Sequence, residues 1–403
     1  MSGALIVQAL RTPRGAAKPS GSLHGLSPAR LLAGHLRELR QRSNVPIEQV
    51  RDAVFGCVTQ TGEQAGNIGK IASTLAGWSP QMSAITVNRY CASGLSAVSL
   101  AAQQALSLDA LTLGGGVEMM SRVPMLSDQP AFAQDARLAR EIGYVPPPWS
   151  SDLVAAREGL SRADCDAYAA LSQARAAAAR QTVPMPSRLP VRDDAGQVLL
   201  DQDENIRESS TAEKLATLKP VYEDGAGELD AWWLEREPGL GRIAHVHTAG
   251  NAPCMADGAA AVLLGSPAAV ERAGLRPRAR ILACADACVP MVQTGAVQAS
   301  EQALHRAGLQ PRDIELWEVR DSFAAITLHY VRHLAIDLDR FNVNGSSIAL
   351  GHPLGATGAM LISCLLDEMD RRDLRLGLAA IAGAMGVATA AVIERLPEGA
   401  HRA

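Results

Sequence analysis

Cys91 stands where a short apolar run, residues 84–88, gives way to small residues that enter an Ala- and Leu-rich stretch at 94–106. A strand that ends there and a helix that begins just after it would set the thiol among unpaired backbone N–H groups. The positive end of the helix dipole favours a thiolate and an oxyanion alike. The other reading of one such residue is a buried, inert cysteine. His352 lies in the run from Asn344 to Gly355, which gathers three glycines and a proline around one imidazole. In a rigid loop of that kind an imidazole could act as a base or an oxyanion donor; a histidine satisfied by backbone is the alternative. Taken together, at two predicted strand-to-helix junctions, Cys91 and His352 form a nucleophile–base couple.

Other residue sets point to less. His245 and His247 alternate as on one strand face, and His329 and His333 fall four apart on a predicted helix. Either pair could hold a metal, but the sequence shows no third ligand, so no metal is expected. Cys284 and Cys288 share a helical spacing and read as packing residues, and Trp232-Trp233 reads as a local anchor. Gly114-Gly115-Gly116 lacks the spacing of a dinucleotide fingerprint, and no run matches a Walker loop.

The 403 residues are 47% hydrophobic and 20% charged, which suffices for the cores of two or three domains. Aromatics make up only 3%, so small side chains must do much of the packing and elements must approach closely. A net charge of −4 without a basic block predicts no nucleic-acid partner. The seven cysteines are irregularly spaced and include no C-x-x-C, which argues against a disulfide framework and for a reducing, cytoplasmic compartment. The opening residues read as a strand rather than a signal peptide, and no apolar stretch reaches the ~18 residues of a membrane span.

The elements that must position these groups alternate. Strands are predicted at 4–10, 52–58, 84–88 and 110–116, the last closing on three glycines, with a helix at 27–42 capped by Ser27 and opened by Pro28. Such alternation implies a largely parallel sheet covered on both faces. Residues 120–243 read as an insertion over the core, with an irregular Pro146-Pro147-Pro148, a polar loop at 192–213, and a helix at 161–179 opened by Ser161 and Asp164 at capping-box spacing. Regular alternation returns at 244–264. A helix at 301–307, a strand at 314–319, a helix at 324–334, a Gly-rich segment at 342–358 and strands at 378–381 and 388–394 follow. Each half sends a small-residue turn into a buried helix, at 91–105 and 352–369, which hints at a duplicated unit. The expected division is 1–119 completed by 244–270, the insertion 120–243, and a second half at 271–403.

On these motifs the chain resembles the thiolases, in particular degradative 3-ketoacyl-CoA thiolases and acetyl-CoA acetyltransferases. The resemblance rests on Arg11-Thr12-Pro13, on Val87-Asn88-Arg89-Tyr90-Cys91-Ala92-Ser93-Gly94, on Gly115-Gly116-Val117-Glu118-Met119-Met120-Ser121, on Thr248-Ala249-Gly250-Asn251, on Asp257-Gly258-Ala259-Ala260, and on residues 342–358. It implies an α/β fold of two similar βαβαβαββ halves in a five-layer α-β-α-β-α sandwich with an inserted loop domain. It implies a homodimer or homotetramer, with the CoA nucleotide against the loop domain, and no cofactor beyond the CoA thioester substrate. Cys91 would accept the acyl group and His352 would activate it. The N–H groups of Cys91 and of Gly383 or Ala384 would form an oxyanion hole, and Gly94, Met120, Asn251, Phe323 and Gly351 would line the substrate pocket.

Two departures from that pattern bear on chemistry. Where thiolases carry the Asn of an Asn-Glu-Ala-Phe-Ala motif, this chain has Arg320, in Arg320-Asp321-Ser322-Phe323-Ala324. Where they carry a second, acid/base cysteine, this chain has Ala380 or Ala382 in a loop that reads two residues short. A guanidinium at 320 could grip a carboxylate or donate to an oxyanion; alternatively it pairs with Asp321 or Glu318 and plugs the pocket. Loss of a positioned base costs ~10²–10⁴-fold, so thiolysis and condensation are expected to be slow or absent. The resemblance thus leaves three readings: a thiolase-type acyl-CoA acyltransferase, a specialised enzyme passing the acyl group to a non-CoA acceptor, and a silent CoA-binding or partner-supporting subunit.

Overall fold

A computed structural model describes residues 3–290 and 292–397. Strands β1 (Leu5–Arg11), β2 (Val50–Gly56), β3 (Ile85–Val87), β4 (Leu111–Met119), β5 (Ala256–Gly265), β6 (Ala279–Cys288), β7 (Leu316–Val319), β8 (Leu376–Ala382) and β9 (Val387–Arg395) form one path, in the order β7-β8-β9-β6-β1-β5-β4-β2-β3. Gly15–Ala16 adds a tenth, short strand beside β5. The β7–β8, β2–β3 and β2–β4 pairs are parallel and the others antiparallel. The two halves of the sheet meet at β1 and β6, where Leu5 pairs with Arg280 and Ile6 with Ala279.

Strand alternation sorts the side chains into layers. Ala259, Ala261 and Leu263 of β5 face helices α1 (Pro28–Ser43) and α2 (Ile68–Leu75) on one outer face. Their neighbours Ala260, Val262 and Leu264 face α3 (Ser93–Leu108). Residues 120–255 add no strand to the large sheet among the described residues, and contain α4 (Pro147–Glu158) and α5 (Arg162–Thr182). In the second half Leu378, Ala380, Ala390 and Val392 face the outer helices α6 (Ala296–Ala307) and α7 (Ala324–His333). Ala379, Ile381, Ala391 and Ile393 turn the other way, into the shared core of α3 and α8 (Leu354–Arg372). The result is helices, sheet, helices, sheet, helices: an α/β sandwich with α3 and α8 at its centre.

Local signals explain several of these elements. Ser27 accepts from the Arg30 N–H and Pro28 opens α1. Ser161 and Asp164 complete the capping box of α5. Three expectations need correction. Strand β4 runs through its glycines to Met119, because Gly114 and Gly116 let Val98 of α3 and Gly355 of α8 pack directly on the strand backbone. The segment at 244–255 is irregular, so His245 and His247 are not on a strand. Cys284 and Cys288 lie on β6, a strand whose alanine-rich sequence has little intrinsic β preference and is held by pairing along β9. The polar stretch near 192–213 does contain a small hairpin, Val191–Arg192 with Val198–Leu200. No helix among the described residues is long and apolar enough to cross a membrane.

Candidate active site

The turn into α3 presents Cys91. Tyr90, just before it, has a φ of +48°, a left-handed conformation that is uncommon for a bulky side chain. The turn is over-determined by hydrogen bonds. Ser93 Oγ donates to the Tyr90 carbonyl (2.5 Å) and accepts from the Arg89 N–H (2.8 Å), while Asn88 accepts from the Tyr90 N–H (2.8 Å). The outcome is a half-buried thiol on the wall of a cavity of about 330 Å³, at the N-terminal end of a 16-residue helix.

Glu118, near the end of β4, braces the floor. Its fully buried carboxylate accepts from the N–H groups of Val58 (2.9 Å), Thr59 (3.1 Å) and Gly355 (2.9 Å) and from Gln64 Nε2 (2.8 Å). One side chain thereby ties the loop after β2 to the first turn of α8. Burial pushes its pKa up, against the pull of those four donors. The N-terminal turns of α3 and α8 touch here: a Cβ on Gly94 would lie 2.5 Å from the Gly355 carbonyl oxygen. Cys91 and His352, each three residues before one of these glycines, are brought to the same end of the central layer.

His352 is buried, and its Nδ1 shares a 2.7 Å hydrogen bond with Thr357 Oγ1, one turn along α8. Its Nε2 is buried without a partner. Burial holds its pKa well below the ordinary histidine value, and the Arg320 and Arg14 cations push the same way. The imidazole is therefore neutral near physiological pH.

Arg320 follows β7 and is almost fully buried. Its Nη1 donates to the Ala382 carbonyl (2.7 Å) and its Nε has no partner. Burial lowers its pKa; the charges opposing that are Cys91 first, then Asp321. The ion pair that would plug the pocket is not formed among the described residues. Asp321 accepts from Ser172 Oγ and the Ile348 N–H, both at 2.8 Å, and Glu318 Oε1 is unpaired. Burial raises Asp321 to about 6 and Glu318 to about 8. The carbonyl that Arg320 grips directly precedes Gly383, where an added Cβ would lie 3.3 Å from the Cys91 nitrogen. The Gly383 N–H is already given to the Val387 carbonyl (2.7 Å), and the next residue, Ala384, lies on the cavity wall.

The similarity of the chain to known proteins agrees with this geometry. Residues 4–231 match the family described as thiolase, N-terminal domain, and residues 275–395 match thiolase, C-terminal domain. The chain is 37% identical over 412 residues to the 3-ketoacyl-CoA thiolase FadA of Escherichia coli K12, covering 98% of this chain and all of that protein. It is 36% identical to the 3-ketoacyl-CoA thiolase of Citrobacter koseri and 34% identical to that of Colwellia psychrerythraea, with the same coverage of both chains. The chain belongs to the thiolase family. It is an acyltransferase of that family, built on the thiolase fold.

Within this thiolase fold the five expected pocket residues have the following surroundings. Gly94 serves the contact of α3 with α8. Asn251 is saturated: it accepts from the Thr248 N–H and donates to Asp166 and the Val246 carbonyl. Phe323 packs edge-on against His247, 5.5 Å between centroids. Gly351 has a φ of +96° and gives its carbonyl to Arg14 Nη1 (2.6 Å). Met120 is buried just beyond β4. None of the five lines the cavity beside Cys91; Tyr90, Leu354 and Ala384 do. Its outer wall is Met125, Leu126, Phe132 and Tyr144, from the stretch about which the sequence says least. The available signal was apolar residues in a loop, with Met125 47% and Leu126 41% exposed. His245 and His247 have their ring nitrogens committed, to Asp152 and Asp230 and to Asp152 and the Ala325 N–H, and so are not free to bind a metal.

Proposed function

We propose that the protein is an acyl-CoA acyltransferase of the 3-ketoacyl-CoA thiolase or acetyl-CoA acetyltransferase type, carrying its acyl group on Cys91 with His352 as proton acceptor. The observation that carries this reading is the half-buried Cys91 thiol on a cavity wall at a helix N-terminus, beside the Ala384 turn. In the tautomer that donates Nδ1–H to Thr357, the unpaired Nε2 of His352 offers a bare lone pair. The Cys91 sulfur attacks the thioester carbonyl, a new C–S bond forms and the bond to the CoA sulfur breaks. The thiol proton passes to His352 and on to the departing CoA thiolate. The oxyanion formed on the way is met by backbone N–H groups at Cys91 and Ala384.

The path for CoA is supported by a second cleft of about 550 Å³ between residues 140–145 and 226–235, which shares Tyr144 with the Cys91 cavity. Arg236 already lies over the Trp232 ring there, 3.6 Å from its centroid, a surface suited to a nucleotide. A homodimer or homotetramer in the cytoplasm completes the reading. It is supported by β3, which ends the sheet with an unpaired edge and an exposed Ile85.

A second reading, transfer to a non-CoA acceptor, is favoured by Arg320. It brings a fixed cation with an unpaired Nε beside Cys91, while the nearby loop offers only alanines at 380 and 382. Such a cation suits an acyl chain or acceptor that bears a carboxylate.

Intact-mass analysis after mixing with acetyl-CoA, a medium-chain acyl-CoA and succinyl-CoA tests both. An adduct that Cys91→Ser removes is expected, with rapid discharge by CoA supporting the first reading and a persistent adduct the second. No adduct with any of the three would leave only the silent subunit.

A further inference from the structure

We propose that Glu158, His329 and His333 form a binding site for a divalent transition metal, best suited to zinc, that clamps α4 to α7. The sequence offers the two histidines four apart; the fold supplies the third group from 171 residues away in the chain. Glu158 is the last residue of α4, and the histidines occupy the last turns of α7. The ligand atoms of the three side chains all lie within 4.8 Å of one another. Glu158 Oε1 is 2.8 Å from His329 Nδ1 and 3.9 Å from His333 Nε2. A tetrahedral zinc with bonds of ~2.1 Å sets its ligand atoms ~3.4 Å apart, between those two values.

A hydrogen bond from His329 to Glu158 accounts for one imidazole and leaves the other unexplained. The two rings sit 3.8 Å apart between centroids, and His333 turns Nε2 toward the same carboxylate oxygen at a distance too long for a hydrogen bond. Its Nδ1 meanwhile lies 3.0 Å from the His329 carbonyl. That carbonyl only accepts, so Nδ1 carries a proton and, in the neutral ring, Nε2 is the bare nitrogen. A backbone carbonyl that fixes tautomer and ring in this way is the usual support of a metal-binding histidine. Side-chain exposure rises from 13% at His329 through 22% at Glu158 to 46% at His333, which leaves one side open for entry and for a water as fourth ligand. Two imidazoles and one carboxylate suit zinc and its first-row neighbours, and are wrong for magnesium and calcium, which want oxygen.

The clamp would act on an element that reaches the acyl site. Helix α7 starts at Ala324, directly after the 320–323 segment, and its Ala325 N–H donates to His247, itself held by Asp152 of α4. A metal at the far end would tie both ends of α7 to α4.

Calorimetric titration of the full chain with Zn²⁺, alongside melting curves, tests this. One ion should bind and raise the melting midpoint, with Mg²⁺ inert. His333→Ala and Glu158→Gln should each weaken binding by ~10-fold or more and remove the midpoint rise. Both variants should melt like the parent without zinc and acylate Cys91 normally, since neither residue lines the cavity. Absence of binding at ~100 µM Zn²⁺, far weaker than protein zinc sites hold their ion, overturns the proposal. So does binding that both variants leave intact, which would assign the ion to cysteines instead, and so does equal stabilisation by Mg²⁺.

Discussion

His352 is neutral because burial, then Arg320, then Arg14 disfavour its cation. Its folded pKa lies well below 6.5, so it stays a competent base as pH falls through the range where an ordinary histidine protonates. The rate of Cys91 acylation, followed by quenched intact-mass kinetics, should hold steady from about pH 7.5 down to about pH 6. A loss of rate centred near 6.5 would show that the base is a different, solvated group. Arg320 invites a second measurement. It donates to the Ala382 carbonyl, next to the Gly383 whose Cβ position lies 3.3 Å from the Cys91 nitrogen. Arg320→Ala should slow acylation by up to ~10²-fold, because the 382–384 turn that it grips carries the second oxyanion donor and would shift. It should also lower stability by ~1–3 kcal/mol, because the buried Ala382 carbonyl loses its donor. Acylation at the parent rate would make Arg320 a structural strut alone.

The central helices approach as closely as their glycines allow. A Cβ on Gly94 would meet the Gly355 carbonyl oxygen at 2.5 Å and the Ala359 nitrogen at 3.1 Å, both backbone atoms that cannot rotate away. Gly94→Ala should therefore cost ~1–3 kcal/mol in chemical denaturation and slow acylation, since separating α3 from α8 moves the turn that holds Cys91. Gly34→Ala, in the middle of α1 with open space at its Cβ position, should be neutral or stabilising by up to ~1 kcal/mol. Glycines of this kind show how far the sequence could be read. Ser27 with Pro28, and Ser161 with Asp164, announce their helices through local chemistry, and Cys91 and His352 stand out because small residues crowd round each. Strand β6 does not announce itself, because alanine has no strong preference and its partner β9 is about a hundred residues on. Glu118 reads as one charge just past a predicted strand until the fold sets four donors on it, and Glu158 becomes a neighbour of His329 only when α4 packs on α7. The cavity wall at 125–144 is scattered apolar residues on turns and short helices, with no period to betray a common face.

At the scale of the whole molecule, residues 120–255 are fastened to the sandwich by the buried Arg11–Asp203 ion pair and braced internally by a second buried charge. Asp152 of α4 is fully buried and accepts from the N–H groups of Val246 (2.9 Å) and His247 (3.0 Å) and from rings on either side, His245 at 2.8 Å and His247 at 2.6 Å. His245 reaches onward with its other nitrogen to Asp230 (3.0 Å), and the Tyr222 ring lies 5.2 Å from its own. Burial works against the His245 cation, but Asp230 and Asp152 outweigh it and its pKa is raised. A folded value above the unfolded value of ~6.5 means that the cation's contribution is fully present below that pH and is lost as pH rises through the folded value. His245→Gln cannot carry that proton. The melting midpoint of the variant should therefore fall furthest below the parent at about pH 6, and the gap should shrink by about pH 8.5. Lower stability of the parent at high pH is not enough to show this, because Asp321 and Glu318, with raised pKa values, also favour the acid side. Only the difference between the two proteins isolates His245, since both share every other titrating group. A gap that stays constant across the range would mean that the neutral ring makes the whole contribution and that the two carboxylates do not hold a proton between them.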